Sequence, residues 1–261
     1  MSITWNLTDA ELVVAWDKLF GDRLPAPLCA LLRVHYTDEY DHLAAATWDG
    51  LQARYDGSLQ DALQRVARPD VQVIAHAVDP RNPEDSGARV RVLGARQGPV
   101  AVLIRQIPGE SMWYSGGFVI TMGAAERLAG AVVGTLPARD AGRLPDIPMV
   151  SSPECGDTDH WHGQSPVYDS YVELERRTTD WLHRPVDVLG VIETSQGSSA
   201  FGPHGPATRR IYWRDLAGDG RYAVVDTARP VVVGVDRPRL AALIATDIAA
   251  TLQTVEDQRC V

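Results

Sequence analysis

The sequence predicts an α+β fold made of two units on one plan: helix, four-strand antiparallel meander, helix. Three observations predict it. Apolar residues recur at helical spacing up to Arg68-Pro69 and at a spacing of two from Val71 onward. The same order of patterns returns later, so the Arg-Pro pairs at 68 and 184 stand 116 residues apart. The stretches FVITMGAAERLAG (118–130) and VVVGVDRPRLAAL (231–243) each run from a strand pattern into a helix pattern, with Arg-Leu-Ala triplets 112 residues apart. Short alanine-rich matches arise by coincidence, but six ordered elements of similar length are harder to produce that way.

The elements follow in order. A short strand at 3–7 leads into Thr8-Asp9-Ala10-Glu11, a capping box that opens a helix over about 8–20. APLCALLRV (26–34) is a continuous apolar run of strand length. Thr37 opens a second helix with Tyr40, Leu43, Ala44, Trp48, Leu51 and Tyr55 on one face; Gly57 ends it, and Ser58 caps a third. Four strands follow: VQVIAHAV, ARVRVLGAR, PVAVLIRQI and SMWYSGGFVITM (111–122). A helix at about 124–136 closes the first unit. The second unit has a helix at about 169–182, the strands VDVLGVIETS, TRRIYWRDL, RYAVVDT and PVVVGV, and a helix at about 236–254. This divides the chain into 1–136, a connector 137–167 with a short strand near Ile147–Val150, and 168–261, together one compact unit.

The bulk numbers exclude several classes. A net charge of −9 disfavours a general nucleic-acid binder, which needs a basic face. The three cysteines lack paired spacing, so neither a disulfide framework nor a zinc ribbon is expected. The N-terminus lacks a signal-peptide pattern, and no window approaches a membrane span. The expectation is a cytoplasmic protein without membrane insertion.

Candidate chemistry is sparse. Cys155, Asp157, Asp159, His160 and His162 are metal-ligand types in one short segment, but nothing in their spacing fixes a coordination geometry. A metal-dependent hydrolase using 155–162 is therefore the competing reading to a solvated linker. Gly109-Glu110-Ser111-Met112-Trp113 begins like a nucleophile elbow, yet ends in tryptophan and precedes a strand. His76 reads as a half-buried packing residue in mid-strand. No acid–base pair emerges, so no enzyme and no cofactor are expected.

Two hairpin loops are long, Asp79–Ala88 and Ser195–Ala207, where roughly two to five residues are usual. Such loops are either decoration or partner contacts. Trp113 and Tyr114 on one strand, with Tyr212 and Trp213 in the corresponding region of the second unit, fit an aromatic-lined cleft; the alternative is ordinary core packing.

The layout resembles the EspG family, chaperones of actinobacterial type VII (ESX) secretion systems. The resemblance is carried by WNLTDAELVVAWDKLFGDRLPAPL, by GPVAVLI after ARVRVLGARQ, by PARDAGRLPDIPM, and by the ending TRRIYWRDLAGDGRYAVVDTARPVVVGVDRPRLAALIATDIAATL. It implies a quasi-two-fold arrangement, with a central antiparallel sheet flanked by helices. It implies a cytosolic chaperone, monomeric or weakly dimeric, that binds the helical tip of PE–PPE-like heterodimers. In the family, contacts come from the sheet face, the loop between the first two strands of the first unit, and helices of the C-terminal half. The matching loop here brings Asp79, Arg81, Asn82, Glu84 and Asp85 into the expected partner site. A divergent, non-catalytic member with another client is the third reading. The connector at 151–167 departs from the family, whose members carry a longer helical stretch there.

Overall fold

The structure, a computed structural model, describes residues 2–149, 166–197 and 208–259. Strand β1 (Ile3–Leu7) runs straight into helix α1 (Asp9–Phe20). The junction is the expected capping box. Thr8 Oγ1 accepts from the Glu11 amide at 3.3 Å, and the Thr8 amide donates to Glu11 Oε2 at 2.8 Å. Thr8→Ala is expected to cost about 1 kcal/mol, measured as a lower urea midpoint at unchanged m-value.

Helices α2 (Thr37–Arg54) and α3 (Gly57–Ala67) follow. Gly57 begins α3 rather than ending α2, and the cap is Asp56, whose Oδ1 accepts from the Ser58 amide at 3.0 Å. A carboxylate before the first turn takes the cap that the sequence reading gave to Ser58.

The run 26–34 is not a strand. Pro25 and Pro27 each lack a ladder donor, and the run opens in a turn closed by the Leu28 amide on the Pro25 carbonyl at 3.0 Å. The Gln106 side-chain amide holds it. Gln106 Oε1 accepts from the Cys29 amide at 3.0 Å, and Nε2 donates to the Cys29 carbonyl at 2.8 Å.

The first meander is β2 (Val71–Val78), β3 (Val90–Gln97), β4 (Val100–Gln106) and β5 (Phe118–Ala124). Its fourth strand starts seven residues later than expected, at Phe118. Residues 111–117 fold back as a loop, in which Gly117 takes φ 109°, a conformation that needs glycine. A 3-10 turn and α4 (Leu128–Thr135) complete this half.

The second half contains β6 (Ile147–Pro148), α5 (Pro166–Leu182), β7 (Val186–Gln196), β8 (Arg209–Leu216), β9 (Arg221–Val225), β10 (Val231–Gly234) and α6 (Arg237–Arg259). All ten strands belong to one antiparallel sheet in the order β1-β5-β4-β3-β2-β7-β8-β9-β10-β6. The halves meet at β2 and β7, paired antiparallel from Val71 opposite Gln196 to Val78 opposite Leu189.

One face of the sheet is covered by α4 and α6. Val73, Ala75, Val92, Ile192, Ile211 and Trp213 pack there against Leu128, Val132, Leu240 and Ile244. Gly190 lies opposite Trp213, and a Cβ on it would come within 2.4 Å of the indole, so the ring fits only over a bare backbone. The other face carries two separate cores. Trp5, Trp16, Leu63, Leu93, Ile104 and Phe118 form one beneath α1 and α3. Trp181, Val186, Leu216, Tyr222 and Val232 form the other beneath α5.

Candidate partner-docking face

Between those two cores lies a strip of sheet that no helix covers among the described residues. Strand alternation builds it. On β2 the odd positions Val71, Val73, Ala75 and Ala77 are fully buried, while Gln72, Ile74, His76 and Val78 point the other way, Ile74 packing against the core beneath α1 and α3 at the strip's border. The β2–β7 register sets Val78 beside Leu189, His76 beside Val191 and Ile74 beside Glu193. The β7–β8 register continues with Leu189 beside Arg214, Val191 beside Tyr212 and Glu193 beside Arg210.

The strip is apolar towards one end and charged towards the other. Leu189 and Tyr212 are each 43% exposed, and Leu182 at the end of α5 is 46% exposed. Arg214 ties α5 to the strip's border: its Nη2 donates to the Leu182 carbonyl at 3.0 Å, and its guanidinium lies 4.6 Å from the centre of the Trp181 ring. Glu193 and Arg210 pair at 2.9 Å on the exposed surface. Burial lowers the pKa of His76 most, Glu193 opposes this, and Arg91 and Arg89 add to the lowering. From β2 to β8 the strip spans roughly 10 Å at normal strand spacing. That is close to the diameter of one α-helix with its side chains, about 10–12 Å.

The Asp79–Ala88 loop stands at one end of this strip and is internally bonded. The Arg81 amide donates to Asp79 Oδ1 at 2.9 Å, the Asn82 amide to the Asp79 carbonyl at 3.2 Å, and the Asp85 amide to the Asn82 carbonyl at 3.0 Å. Hydrogen bonds from Arg81 hold the Asp79 carboxyl below its usual range. Arg81 also reaches across to Asp187 at 3.1 Å, and Arg139 meets the other oxygen of Asp187 at 2.9 Å. Arg139 then approaches Asp215 at 3.9 Å, and Asp215 grips the buried Arg221 at 2.7 and 2.8 Å. A chain of alternating charges thus runs from the loop into the core. Ser86 Oγ donates to the Gly109 carbonyl at 2.5 Å, fastening the loop to residues 107–117.

The site residues expected from sequence separate here. Asp79, Arg81, Asn82, Glu84 and Asp85 share one exposed loop beside the strip. Tyr212 lies on the strip. Trp213 does not: it is fully buried under α6 on the opposite face, because consecutive strand residues point to opposite faces. It is a core residue and lines no cleft. Trp113 and Tyr114 lie on the 107–117 loop, not on a strand. Trp113 is 50% exposed, and Arg33 stacks over Tyr114 at 4.7 Å. Sequence reasoning missed Leu189, Val191 and Glu193. The mixed polar and apolar even positions of β2 were the available signal for a half-covered face.

The Cys155–His162 cluster lies outside the described residues. Among the described residues, no group of three or more His, Cys, Asp or Glu is placed to hold a metal ion, and no helix is long and apolar enough to cross a membrane.

Comparison with curated proteins gives no match. Among solved structures, the chain is similar to the Mycobacterium tuberculosis type VII secretion system chaperone EspG5, determined in complex with a PE25–PPE41 dimer. The two share 14% identity and a TM-score of 0.52, covering 93% of this chain and 94% of that one. That likeness shows a shared fold. The model of the EspG family matches residues 8–246, the greater part of the sequence, and the chain therefore belongs to the EspG family.

Proposed function

We propose that this protein is a cytosolic chaperone of a type VII secretion system. It holds the helical end of a PE–PPE-like heterodimer on the uncovered strip of its sheet and keeps the pair soluble until export. The observation that carries this reading is the strip itself, one helix wide, bordered by helices and walled at one end by an internally bonded loop. Leu189, Val191 and Tyr212 offer apolar surface for a helix, and the Glu193–Arg210 pair and the Asp79–Ala88 loop supply a polar rim. The EspG family membership supports it, as does the fold shared with a chaperone bound to such a dimer. The role is binding rather than catalysis: an apolar tip left free would self-associate, and covering it needs surface, not a reactive group.

The test is co-expression with PE–PPE-like pairs encoded beside this gene, followed by gel filtration. A complex of one chaperone and one heterodimer is the expected species, with an interface of roughly 1,600 Å² in total. Failure of every such pair to co-elute overturns the reading.

A further inference from the structure

At the end of the strip nearest the Asp79–Ala88 loop, two arginines stand without an acidic partner. Arg89 precedes β3 and Arg91 lies within it. Two residues apart in extended chain, they point the same way. Arg91 is directly opposite His76 in the β2–β3 register, so it borders the strip. Its Nη1 donates to the Met112 carbonyl at 2.9 Å, and the Cys29 thiol lies beside it. Arg89 donates from Nη2 to the Pro83 carbonyl, but its Nε is buried and meets no acceptor. Neither guanidinium meets a carboxylate among the described residues.

This arrangement is costly as it stands. Burial disfavours the charged form of Arg91, and the like charge of Arg89 adds to it, outweighing what Cys29 returns. A buried N–H without an acceptor forfeits the full desolvation of that group. Beside these groups is a hollow of about 10 Å³, lined by Ser86, Arg89, Arg91, Gln106, Ser111 and Met112. It has room for one water-sized atom. A carboxylate oxygen is that size, and its partner oxygen would stay outside the hollow. The planar fork of an arginine suits that anion better than a point charge would.

We propose that Arg89 and Arg91 form a carboxylate subsite at this end of the docking face, filled by an acidic side chain of the bound client. The inference rests on the proposed client-binding role, and it adds a selection rule: the chaperone favours clients that bring an acidic residue to this corner. A protein with net charge −9 repels acidic partners on average, so a local pair of cations fixes the register in which one can dock.

Two arms test it. In the first, the protein alone is melted in sodium acetate and in sodium chloride at equal ionic strength. Acetate is expected to raise the wild-type midpoint by a few degrees over chloride, and to lose that advantage in R89Q/R91Q. Equal responses in the two proteins overturn the subsite. In the second arm, the affinity for a co-purified PE–PPE-like pair is measured. R91Q is expected to weaken binding roughly thirtyfold or more and to flatten its salt dependence. R91K, which keeps the charge and loses the fork, should recover only part. Unchanged affinity in R91Q overturns the assignment to the client, even with acetate bound. If the wild type binds no such pair, the chaperone reading fails, while the acetate arm still decides whether the hollow takes a carboxylate.

Discussion

Leu189→Glu and Tyr212→Glu, made together, are expected to abolish capture of the client while leaving the fold intact. Both side chains are substantially exposed on the strip, so neither change empties the core. Each should alter stability by no more than about 1 kcal/mol, the span of strand preference at such positions. Binding is different, because both residues sit at the centre of the apolar part of the strip. A docked helix there buries them fully, and a glutamate in either place carries an unpaired charge into the interface. Each substitution is expected to cost about 2 kcal/mol or more of binding free energy, roughly thirtyfold in affinity. Titration calorimetry against a PE–PPE-like pair measures it. Tyr36→Glu is the control: Tyr36 is 69% exposed and stands at the N-terminus of α2, outside the strands that form the strip, and should leave affinity unchanged. Wild-type affinity in the double variant moves the client off this face.

Asp215→Ala is expected to be the most damaging single change to stability. Asp215 and Arg221 are both essentially without exposure, and the carboxylate bonds the guanidinium through both oxygens. Arg221 also donates to the Pro137 carbonyl at 3.0 Å and lies 5.9 Å from the centre of the Trp213 ring. Removing the carboxylate leaves a buried cation with only a carbonyl and a ring face. Breaking such a pair costs about 3–5 kcal/mol, a large part of the roughly 5–15 kcal/mol that holds a domain. Urea denaturation of the variant measures the loss, and a cost below about 1 kcal/mol refutes the account. The same change removes a link of the charge chain that reaches the Asp79–Ala88 loop through Arg139 and Asp187. Loosening of that loop should follow, seen as faster amide exchange at Arg81, Asn82 and Asp85.

Much of the local structure was legible because it is written in local chemistry. Thr8 and Glu11 are three residues apart and cap one helix, and no distant group is needed to read them. The strand at 71–78 was found to the residue, since Val71, Val73, Ala75 and Ala77 alternate without a break. The failures came where a distant group intervened. The run at 26–34 has the apolarity of a strand, but its backbone groups at Cys29 are taken by the side chain of Gln106, 77 residues away. The expected cleft aromatics failed for a related reason. Trp213 and Tyr212 look alike in a list of residues, and only the sheet's two faces tell them apart. Arg89 and Arg91 carry no signal of their own in the sequence; only the folded surroundings show that their side chains meet carbonyls and, among the described residues, no carboxylate.

The sequence by itself determined most of the helices and strands and their order, because periodicity and capping act within a few residues. It also carried enough of the family's pattern to name a role. The tertiary structure alone decided where the strip proposed for docking lies. Alternation says that one side of β2 is buried; it does not say which strand lies beside it or which helices stop short. The pairing of β2 with β7 joins segments more than a hundred residues apart, and the helices on that side cover separate cores in the two halves. The exposed strip is what those non-local choices leave uncovered among the described residues. Contacts of that range are set by register and packing across the whole sheet, and no window of sequence contains them.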